Sequence, residues 1–264
     1  MEPPQFAAKR PSWQLPSGVT RGMWEYAEAE HIARDYDEYF AQNRLFDFDE
    51  AVLARHFTRT GVVVDLGAGT GRALVPLARR GFHGVAVDLS SEMLEVIGEK
   101  AAEENLRIDR LRANMVELDC LAEGIADYCI CLFSTLGMIR GSENRRRAIA
   151  HVRRILKPGG RFVLHVHNFW YNLRDPGGPW WVMKSLFRSI VARDFEAGDK
   201  FFEYRQIPNM YLHVFRRGEL CGLLRGAGFR IVELVRLDPQ RFRALRRPWL
   251  FGDLRANGWI VVCE

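Results

Sequence analysis

The chain has 264 residues, of which 48% are apolar and 27% charged, and its formal net charge at pH 7 is +5. These values are ordinary for a folded protein with one large α/β domain, or one domain with a small appendage, and they exclude a low-complexity chain. No apolar run approaches the roughly 20 residues that a membrane-spanning helix needs, so we expect no membrane partner.

The N-terminal residues and the cysteines bear on the compartment. Residues 1–18 contain several prolines but neither an apolar core nor a small-residue cleavage site, so they predict a loose tail and not a secretory signal. The five cysteines are odd in number and lack CxxC spacing, which indicates free thiols in a reducing environment. We therefore expect a cytoplasmic protein.

Residues 20–57 are rich in helix formers and predict about two helices, the second with apolar residues at helical spacing. We interpret residues 1–58 as a tail followed by an N-terminal helical cap.

Strands and helices alternate from residue 61 onward. Five strand-like runs, each with helix-forming or turn residues after it, are GVVVDL, HGVAVDLS, LRIDRLRANM, ADYCICLFST and RFVLHVHNF. Near-continuous apolar strands separated by helices predict a parallel sheet that is covered on both faces. A later helix, ELCGLLRGAGF, and two further strands, RIVELVRLD and GWIVVCE, continue the pattern.

Residues 169–216 interrupt this alternation. They contain Trp170, Trp180 and Trp181, followed by FFEYRQIPNMYLHVF, which predicts a pair of strands outside the main sheet. We interpret this segment as a lid inserted in a domain of residues 59–264. Its aromatic side chains either stack on a substrate or bury a small core of the lid itself, and the sequence leaves both open.

Three glycines, Gly67, Gly69 and Gly71, follow the first strand. A dinucleotide fingerprint would need a third glycine where Arg72 stands, and the GK[ST] ending of a phosphate loop is absent. Asp65 would repel phosphates but suits a cationic ligand such as S-adenosylmethionine (SAM), which has an ammonium and a sulfonium group. Asp88 ends the second strand, 21 residues after Gly67, where a carboxylate accepts ribose hydroxyls or, alternatively, caps a helix.

Four stretches in chain order, DLGAGTG, VAVDLSSEML, ADYCICLFSTLG and LKPGGRFVLHVHN, resemble the successive motifs of the class I SAM-dependent methyltransferases. The likeness runs from about residue 60 to 168, and LLRGAGFRIVEL resembles the family's helix and strand near the C-terminus. It implies a doubly wound, mostly parallel seven-stranded α/β sheet of order 3-2-1-4-5-7-6, whose last strand is antiparallel. It also implies SAM as the cofactor.

The resemblance further implies a cofactor site. Asp65 and the glycine turn would meet the amino-acid end of SAM and Asp88 its ribose, while Asn114, where the family more often has Asp, would meet the adenine amine. Tyr36 or Tyr39 in ARDYDEYF would close over the cofactor, or would only pack. The predicted cofactor-binding residues are Asp65, Gly67, Ala68, Gly69, Gly71, Asp88, Leu89, Asn114, Met115, Phe133 and Tyr36.

The fifth strand supplies the catalytic candidates. His165 and His167 point to the same side of the strand, and Asn168 follows at its carboxyl end, where ligands of α/β sheets bind. We predict His167, as a base or a substrate ligand, and Asn168 as catalytic residues, and His165 as a buried, hydrogen-bonded core residue. No third ligand accompanies the two histidines, so we expect no metal.

The leading prediction is an enzyme that transfers a methyl group from SAM to N or O of a small molecule. Arginines at 241, 243, 246 and 247 keep an RNA or protein methyltransferase open, and a SAM-binding regulatory subunit is a third possibility. We expect the Arg145–Arg147 run to form a solvated helix face. Nothing in the sequence indicates the acceptor or the oligomeric state.

Overall fold

The computed structural model describes residues 11–40 and 45–264, and this part of the chain forms a seven-stranded mixed sheet and a separate two-stranded sheet. The strands are β1 (Val62–Leu66), β2 (His83–Asp88), β3 (Ile108–Arg112), β4 (Ala126–Cys131), β5 (Leu156–His167), β6 (Asp199–Tyr204), β7 (Ile207–His213), β8 (Ile231–Arg236) and β9 (Gly258–Cys263). The α-helices are α1 (Arg21–Ala27), α2 (Glu30–Arg34), α3 (Tyr36–Phe40), α4 (Leu45–His56), α5 (Leu74–Arg79), α6 (Ser91–Glu103), α7 (Ser142–Ile155), α8 (Gly178–Val191), α9 (Arg217–Gly226) and α10 (Gly252–Arg255).

The main sheet has the order β3-β2-β1-β4-β5-β9-β8. Strands β1 to β5 pair in parallel, whereas β9 runs antiparallel to both β5 and β8. Counted within this sheet alone, β8 is the sixth strand and β9 the seventh, so the predicted order 3-2-1-4-5-7-6 and the antiparallel last strand are confirmed.

Helices cover both faces of the sheet because each face of its central strands is apolar. Residues of α7 and α9, such as Ile149 and Leu224, are buried on one face. Residues of α4, α5 and α6, such as Leu53, Leu77 and Ile97, are buried on the other. The two layers hold the carboxyl ends of β1, β2, β4 and β5 at a common edge.

The N-terminal segment forms four short helices in its described part, where about two were expected. Helix α1 begins after Thr20, whose hydroxyl accepts a hydrogen bond from the backbone N–H of Met23. Tyr36 of α3 and Ile32 of α2 pack with Met210 of β7 in one apolar cluster. The N-terminal helices are thereby fastened to the hairpin β6–β7.

The insert between β5 and α9 contains the expected strand pair, β6–β7, and also a helix, α8, that the sequence analysis did not predict. Trp170 and Trp181 pack around the buried side chains of Phe169, Val182 and Val214. These two tryptophans belong to a small core of the insert, which is one of the two alternatives considered for them.

The expectation of a solvated face is wrong for Arg145, whose exposed fraction is 1%. Its Nη1 donates to the carbonyl oxygen of Ile139 at 3.0 Å, and its guanidinium pairs with Glu196 from the insert. Arg146 and Arg147 are exposed as expected. The insert therefore covers one arginine of the run, a tertiary contact that the local sequence does not reveal.

Candidate functional site

A cavity of about 440 Å³ opens at the carboxyl ends of the central strands. Its walls come mainly from the loops after β1 to β5, the N-terminal residues 17–19 with helices α1 and α3, the hairpin β6–β7, and the loop after β8, which contributes Arg241. This volume is typical of sites for small ligands, which are largely enclosed and mostly apolar with a few polar groups.

The glycine turn forms one wall of the cavity. Gly67 and Gly69 have φ angles of +74° and +54°, which favour glycine, and a Cβ on Gly67 would overlap the side chain of Thr135. Gly67, Ala68 and Gly69 line the cavity, and their contact with a cofactor remains a prediction. Gly71 does not line it, because this residue faces the helix layer, where a Cβ would stand 2.9 Å from Ile97 Cγ1. The assignment of Gly71 to the cofactor is corrected to a packing role.

Asp65 is a buried carboxyl on the cavity wall, with an exposed fraction of 4%. Burial raises its pKa to about 7, the nearby Asp88 adds to the rise, and Arg72 opposes it. A cationic ligand beside Asp65 would favour the ionised form, so this wall of the cavity suits an ammonium group.

Asp88 lines the cavity beside the glycine turn. Its Oδ2 accepts a hydrogen bond from Gly69 N at 2.9 Å, and its Oδ1 accepts one from Ser90 N at 2.9 Å. The N-cap of α6 is Ser90, whose hydroxyl accepts from the backbone N–H of Met93. Asp88 therefore holds the glycine turn, and Ser90 caps α6. Burial raises the pKa of the Asp88 carboxyl.

Leu89, Asn114 and Met115 line the cavity on the β2–β3 side. Asn114 donates from Nδ2 to Ser17 O at 2.9 Å and accepts at Oδ1 from Val116 N at 3.2 Å. The Oδ1 atom retains a second lone pair. Contact with an adenine amine remains a prediction for Asn114.

Helix α3 closes the cavity from the N-terminal side. Tyr36, with an exposed fraction of 9%, and the more exposed Tyr39 both line it. The neighbouring Asp37 accepts a hydrogen bond from Thr70 Oγ1 at 2.6 Å and pairs with Lys100. The Tyr-Asp element is therefore joined directly to the glycine turn.

His167 lines the cavity at the end of β5. Burial lowers its pKa to about 3, with a further contribution from Arg241 and an opposing one from its hydrogen bond to Asn257. The imidazole is neutral near pH 7 and is a weak base. His165 is fully buried as predicted, but neither of its ring nitrogens has a hydrogen-bond partner in residues 11–40 and 45–264.

Asn168 does not line the cavity, and its assignment as a catalytic residue is corrected. Its Nδ2 donates to the carbonyl oxygens of Asp253 and Ala256 at 2.6 and 2.7 Å, and its Oδ1 accepts from Trp170 N at 3.0 Å. Both amide hydrogens are used within the protein. Asn168 fastens α10 and the start of the insert to the end of β5.

Two arginines flank Phe133, which lines the cavity with a φ of +56°. The Cζ atoms of Arg72 and Arg241 lie 5.2 and 5.5 Å from the centre of its ring. Arg241 Nη1 is buried without a hydrogen-bond partner within the described parts of the chain. Its loop is held by Asp238, whose carbonyl oxygen accepts from Arg241 N at 3.0 Å and whose Oδ1 accepts from Phe242 N at 2.9 Å.

Asp49 of α4 is a buried acid near both arginines. Burial raises its pKa to about 7, although Arg72 and Arg241 each oppose the rise. Arg72 also lies near Asp65 and Asp37, whereas Asp49 is the acid whose charge acts on Arg241. Because the Asp49 carboxyl is only partly ionised near neutrality, it neutralises the Arg241 guanidinium incompletely. Asp49 was not predicted as a site residue, and Arg241 was predicted only as part of a basic run. No local sequence pattern indicates that two such distant segments lie close together.

The four arginines of the predicted basic run lie in different surroundings. Arg241 turns into the cavity, Arg243 lies 3.3 Å from Asp238, and Arg246 and Arg247 are exposed.

A second group of ionisable residues lies beneath the insert. In the part of the chain that is described, the ligand atoms of Glu196, His213 and Glu219 lie within 4.8 Å of one another. Arg145 already pairs with Glu196 and is 4.0 Å from Glu219, so a cation occupies this position. We interpret the group as a buried ion-pair network.

Comparisons with known proteins identify related sequences and folds. A family described as "Methyltransferase domain" matches residues 63–160. A protein of Geobacillus sp. (strain WCH70) with the name "Putative methyltransferase" is 32% identical over 108 residues, which are 40% of this chain and 42% of that protein. The match thus covers less than half of that relative's length. The ubiquinone/menaquinone biosynthesis C-methyltransferase of Acidiphilium cryptum is 30% identical over 181 residues, which are 67% of this chain and 69% of that protein.

A solved structure has the same fold. The 1,6-didemethyltoxoflavin-N1-methyltransferase of Burkholderia thailandensis, with bound 1,6-didemethyltoxoflavin and S-adenosylhomocysteine, superposes with a TM-score of 0.58 at 19% identity, covering 88% of this chain and 83% of that one.

Proposed function

The chain belongs to the class I SAM-dependent methyltransferases, and we propose that it transfers the methyl group of SAM to N or O of a small molecule that carries negative charge. The observation that carries this proposal is the buried Nη1 of Arg241, which has no hydrogen-bond partner in the described residues and belongs to a cavity that the carboxyls of Asp65 and Asp88 also line. We call the wall at Asp65 and Asp88 the acidic side and the wall at Arg241 the basic side; Arg72 lies near both Asp65 and Asp49.

The acidic side suits the cofactor. Asp65 would hold the ammonium group of SAM, whose positive charge favours the ionised form of this buried carboxyl. Asp88 would accept the ribose hydroxyls, and the turn at Gly67 and Gly69 would let the cofactor approach the backbone closely. SAM supplies a methyl group already activated by the sulfonium, so the protein's main task is to position the acceptor.

The basic side suits the acceptor. The buried Nη1 of Arg241 has no hydrogen-bond partner in the described residues, and leaving a buried donor unpaired costs free energy. A carboxylate, phenolate or similar anion would supply the missing acceptor and would be held by a charge-assisted hydrogen bond. Enclosure by α1, α3 and the hairpin β6–β7 favours a small molecule over a macromolecule.

His167 would orient the acceptor more than deprotonate it, because an imidazole with a pKa of about 3 removes protons poorly at pH 7. The acceptor atom is therefore nucleophilic when it binds, either as an anionic oxygen or as a neutral amine beside an anionic group. With SAM bound, transfer would require the acceptor atom to be held in line, about 3–3.5 Å from the methyl carbon, and the sulfur would leave as a neutral thioether. An anionic oxygen would give a neutral product, whereas a methylated amine would afterwards release one proton to solvent.

A paired screen tests this proposal. Thermal shift with SAM and S-adenosylhomocysteine establishes cofactor binding, after which aromatic hydroxy acids and amino acids are compared with their carboxamide analogues in a labelled-methyl assay. We expect methylation of the acids, and a rise of about tenfold or more in their KM in Arg241→Met, with SAM affinity unchanged. Arg246→Met, an exposed arginine close by in sequence, is the control. Equal use of acids and amides by the wild type would refute the charge requirement.

A further inference from the structure

Helix α8 exposes an apolar stripe of five large side chains. Each is between 54% and 83% exposed: Trp180, Met183, Phe187, Ile190 and Val191. The first four are three or four residues apart, and Val191 lies four residues after Phe187, which places all five on one side of the helix. The opposite side, with Val182 and Ser185, is buried against the rest of the insert. Single exposed apolar residues are normal, but a continuous stripe of this size marks an interaction surface.

Two cations border one edge of this stripe. Helix α8 contains no acidic residue, and its two charged side chains, Lys184 and Arg188, are both exposed. On a helical projection both lie along the edge of the stripe next to Trp180 and Val191. A helix with an apolar face, an aromatic residue and a cationic edge has the composition of helices that lie in a membrane interface.

A second exposed apolar segment has the same character. Trp249, Leu250, Phe251 and Leu254 are between 42% and 81% exposed. They lie among the exposed Arg246 and Arg247 and the half-buried Arg255, whose guanidinium donates to the carbonyl oxygens of Arg247 and Leu250. Helices α10 and α8 both contact the 3₁₀ helix Phe169–Arg174, so the two segments attach to one structural unit.

We propose that α8 docks on the surface of a bilayer that contains anionic lipids, with its apolar stripe among the acyl chains and Lys184 and Arg188 at the phosphates. The charges favour this occupant over a second copy of the chain, because an antiparallel isologous contact of two such helices would bring Lys184 and Arg188 of both copies together, and α8 itself contains no acid to pair with them. The sequence-based expectation of no membrane partner rested on the lack of a spanning run. No helix in the described part of the chain could cross a bilayer, and docking on its surface requires none.

The surface lies close to the cavity. The buried side of α8 packs in a cluster with Leu212, and Leu212 lines the cavity. If α8 docked on lipid, the helix and the layer of side chains beneath it would separate the cavity from the bilayer, whichever acceptor the enzyme methylates.

Cosedimentation with vesicles tests the proposal directly. The full chain is mixed with vesicles of phosphatidylcholine alone and of phosphatidylcholine with about one quarter phosphatidylglycerol. We expect binding to the anionic vesicles, with an affinity about fivefold weaker for each cation removed in Lys184→Gln and Arg188→Gln. Phe187→Ser with Ile190→Ser should weaken binding at least tenfold. Trp13→Ser, which removes a 79% exposed tryptophan outside the insert, should bind like the wild type.

Each other outcome overturns the proposal. Wild-type protein that stays in the supernatant with anionic vesicles excludes a lipid partner, as does binding that the stripe variants leave unchanged. Light scattering on the same proteins without vesicles tests the alternative occupant, a second copy of the chain. A wild-type dimer that becomes a monomer in the Phe187→Ser, Ile190→Ser variant would assign the stripe to that second copy. Because the substituted side chains are exposed, the variants should keep the wild-type thermal shift with SAM, which checks that they fold.

Discussion

The hydroxyl of Thr70 donates to Asp37 Oδ1 at 2.6 Å and so joins helix α3 to the glycine turn. Lys100 of α6 pairs with the same carboxylate and also donates to the Thr70 carbonyl oxygen at 2.8 Å. One acid thus connects the N-terminal helices, the turn and α6. Since Tyr36 beside it lines the cavity, this connection should hold the cap closed over the cofactor.

Asp37→Asn should therefore weaken SAM binding about fivefold to thirtyfold, which corresponds to the loss of about 1–2 kcal/mol from a charge-assisted hydrogen bond. Isothermal titration with SAM measures the change. Glu38→Gln removes a neighbouring exposed acid from the same helix and should leave the affinity within twofold. Equal effects of the two substitutions would show that α3 does not act through the Thr70 contact.

SAM affinity should depend on pH through Asp65. Its pKa is raised to about 7 in the ligand-free protein, and its neutral form does not attract an ammonium group. Between pH 8 and pH 6 the affinity should fall about tenfold, and Asp65→Asn should bind weakly at both pH values. Asp49→Asn is the matched control, because that carboxyl also has a pKa of about 7 but does not line the cavity. A flat profile in the wild type would contradict the assignment.

The raised pKa of Asp65 also affects the stability of the ligand-free protein, which changes with pH in the opposite direction to SAM affinity. A carboxyl whose pKa is raised by folding holds its proton more tightly in the folded state, so stability falls as pH rises from about 4 to 7. Asp65→Asn removes this penalty and should raise the melting temperature of the ligand-free protein at pH 8, measured by calorimetry. A lower melting temperature would mean that the Asp65 carboxyl makes contacts in the folded protein that outweigh the cost of its burial.

The sheet was predicted more completely than the site. The apolar runs alone predict a parallel sheet covered on both faces, and its strand order was predicted through the resemblance that four ordered motifs carry. The cofactor-side residues were named from the glycine turn and the same resemblance, and their contact with SAM stays a prediction. The catalytic assignments depended on position at the end of β5, and position did not reveal that the amide of Asn168 is fully used within the protein. Arg241 and Asp49 meet across segments separated by most of the chain, so no local pattern could pair them.

His167→Ala should lower kcat about tenfold to a hundredfold while changing SAM affinity less than twofold, since the imidazole lies on the cavity wall at the end of β5. With a pKa of about 3, His167 should contribute no ionisation to the kcat/KM profile between pH 5 and pH 9. His167→Gln keeps a hydrogen-bonding group and should recover part of the rate. A rate limb that disappears in both variants would instead identify His167 as a general base.

His213 should make the fold more stable at pH 6 than at pH 9. Burial alone would lower its pKa, but hydrogen bonds with Asp199 at 2.9 Å and Glu219 at 2.7 Å outweigh burial and raise it. A histidine with a raised pKa stabilises the folded state fully below its unfolded value of about 6.5, and this contribution is lost as pH rises through the folded value. The depressed pKa values of Asp199 and Glu219 change stability only in acid, outside this window.

The measurement is the difference in unfolding free energy between the wild type and His213→Gln at several pH values, which cancels the contributions of Asp65 and Asp49. Substitution removes the cation between the buried Asp199 and the partly buried Glu219, of which Glu219 keeps Arg145 at 4.0 Å. The cost at pH 6 should therefore be about 2–4 kcal/mol, mainly at Asp199, and should shrink toward pH 9. His83→Gln, at a pair with the exposed Asp109, is the matched control and should cost little at any pH. A cost for His213→Gln that stays constant with pH would show that His213 stabilises the insert as a neutral hydrogen-bonding group, without the charge that the buried acids around it favour.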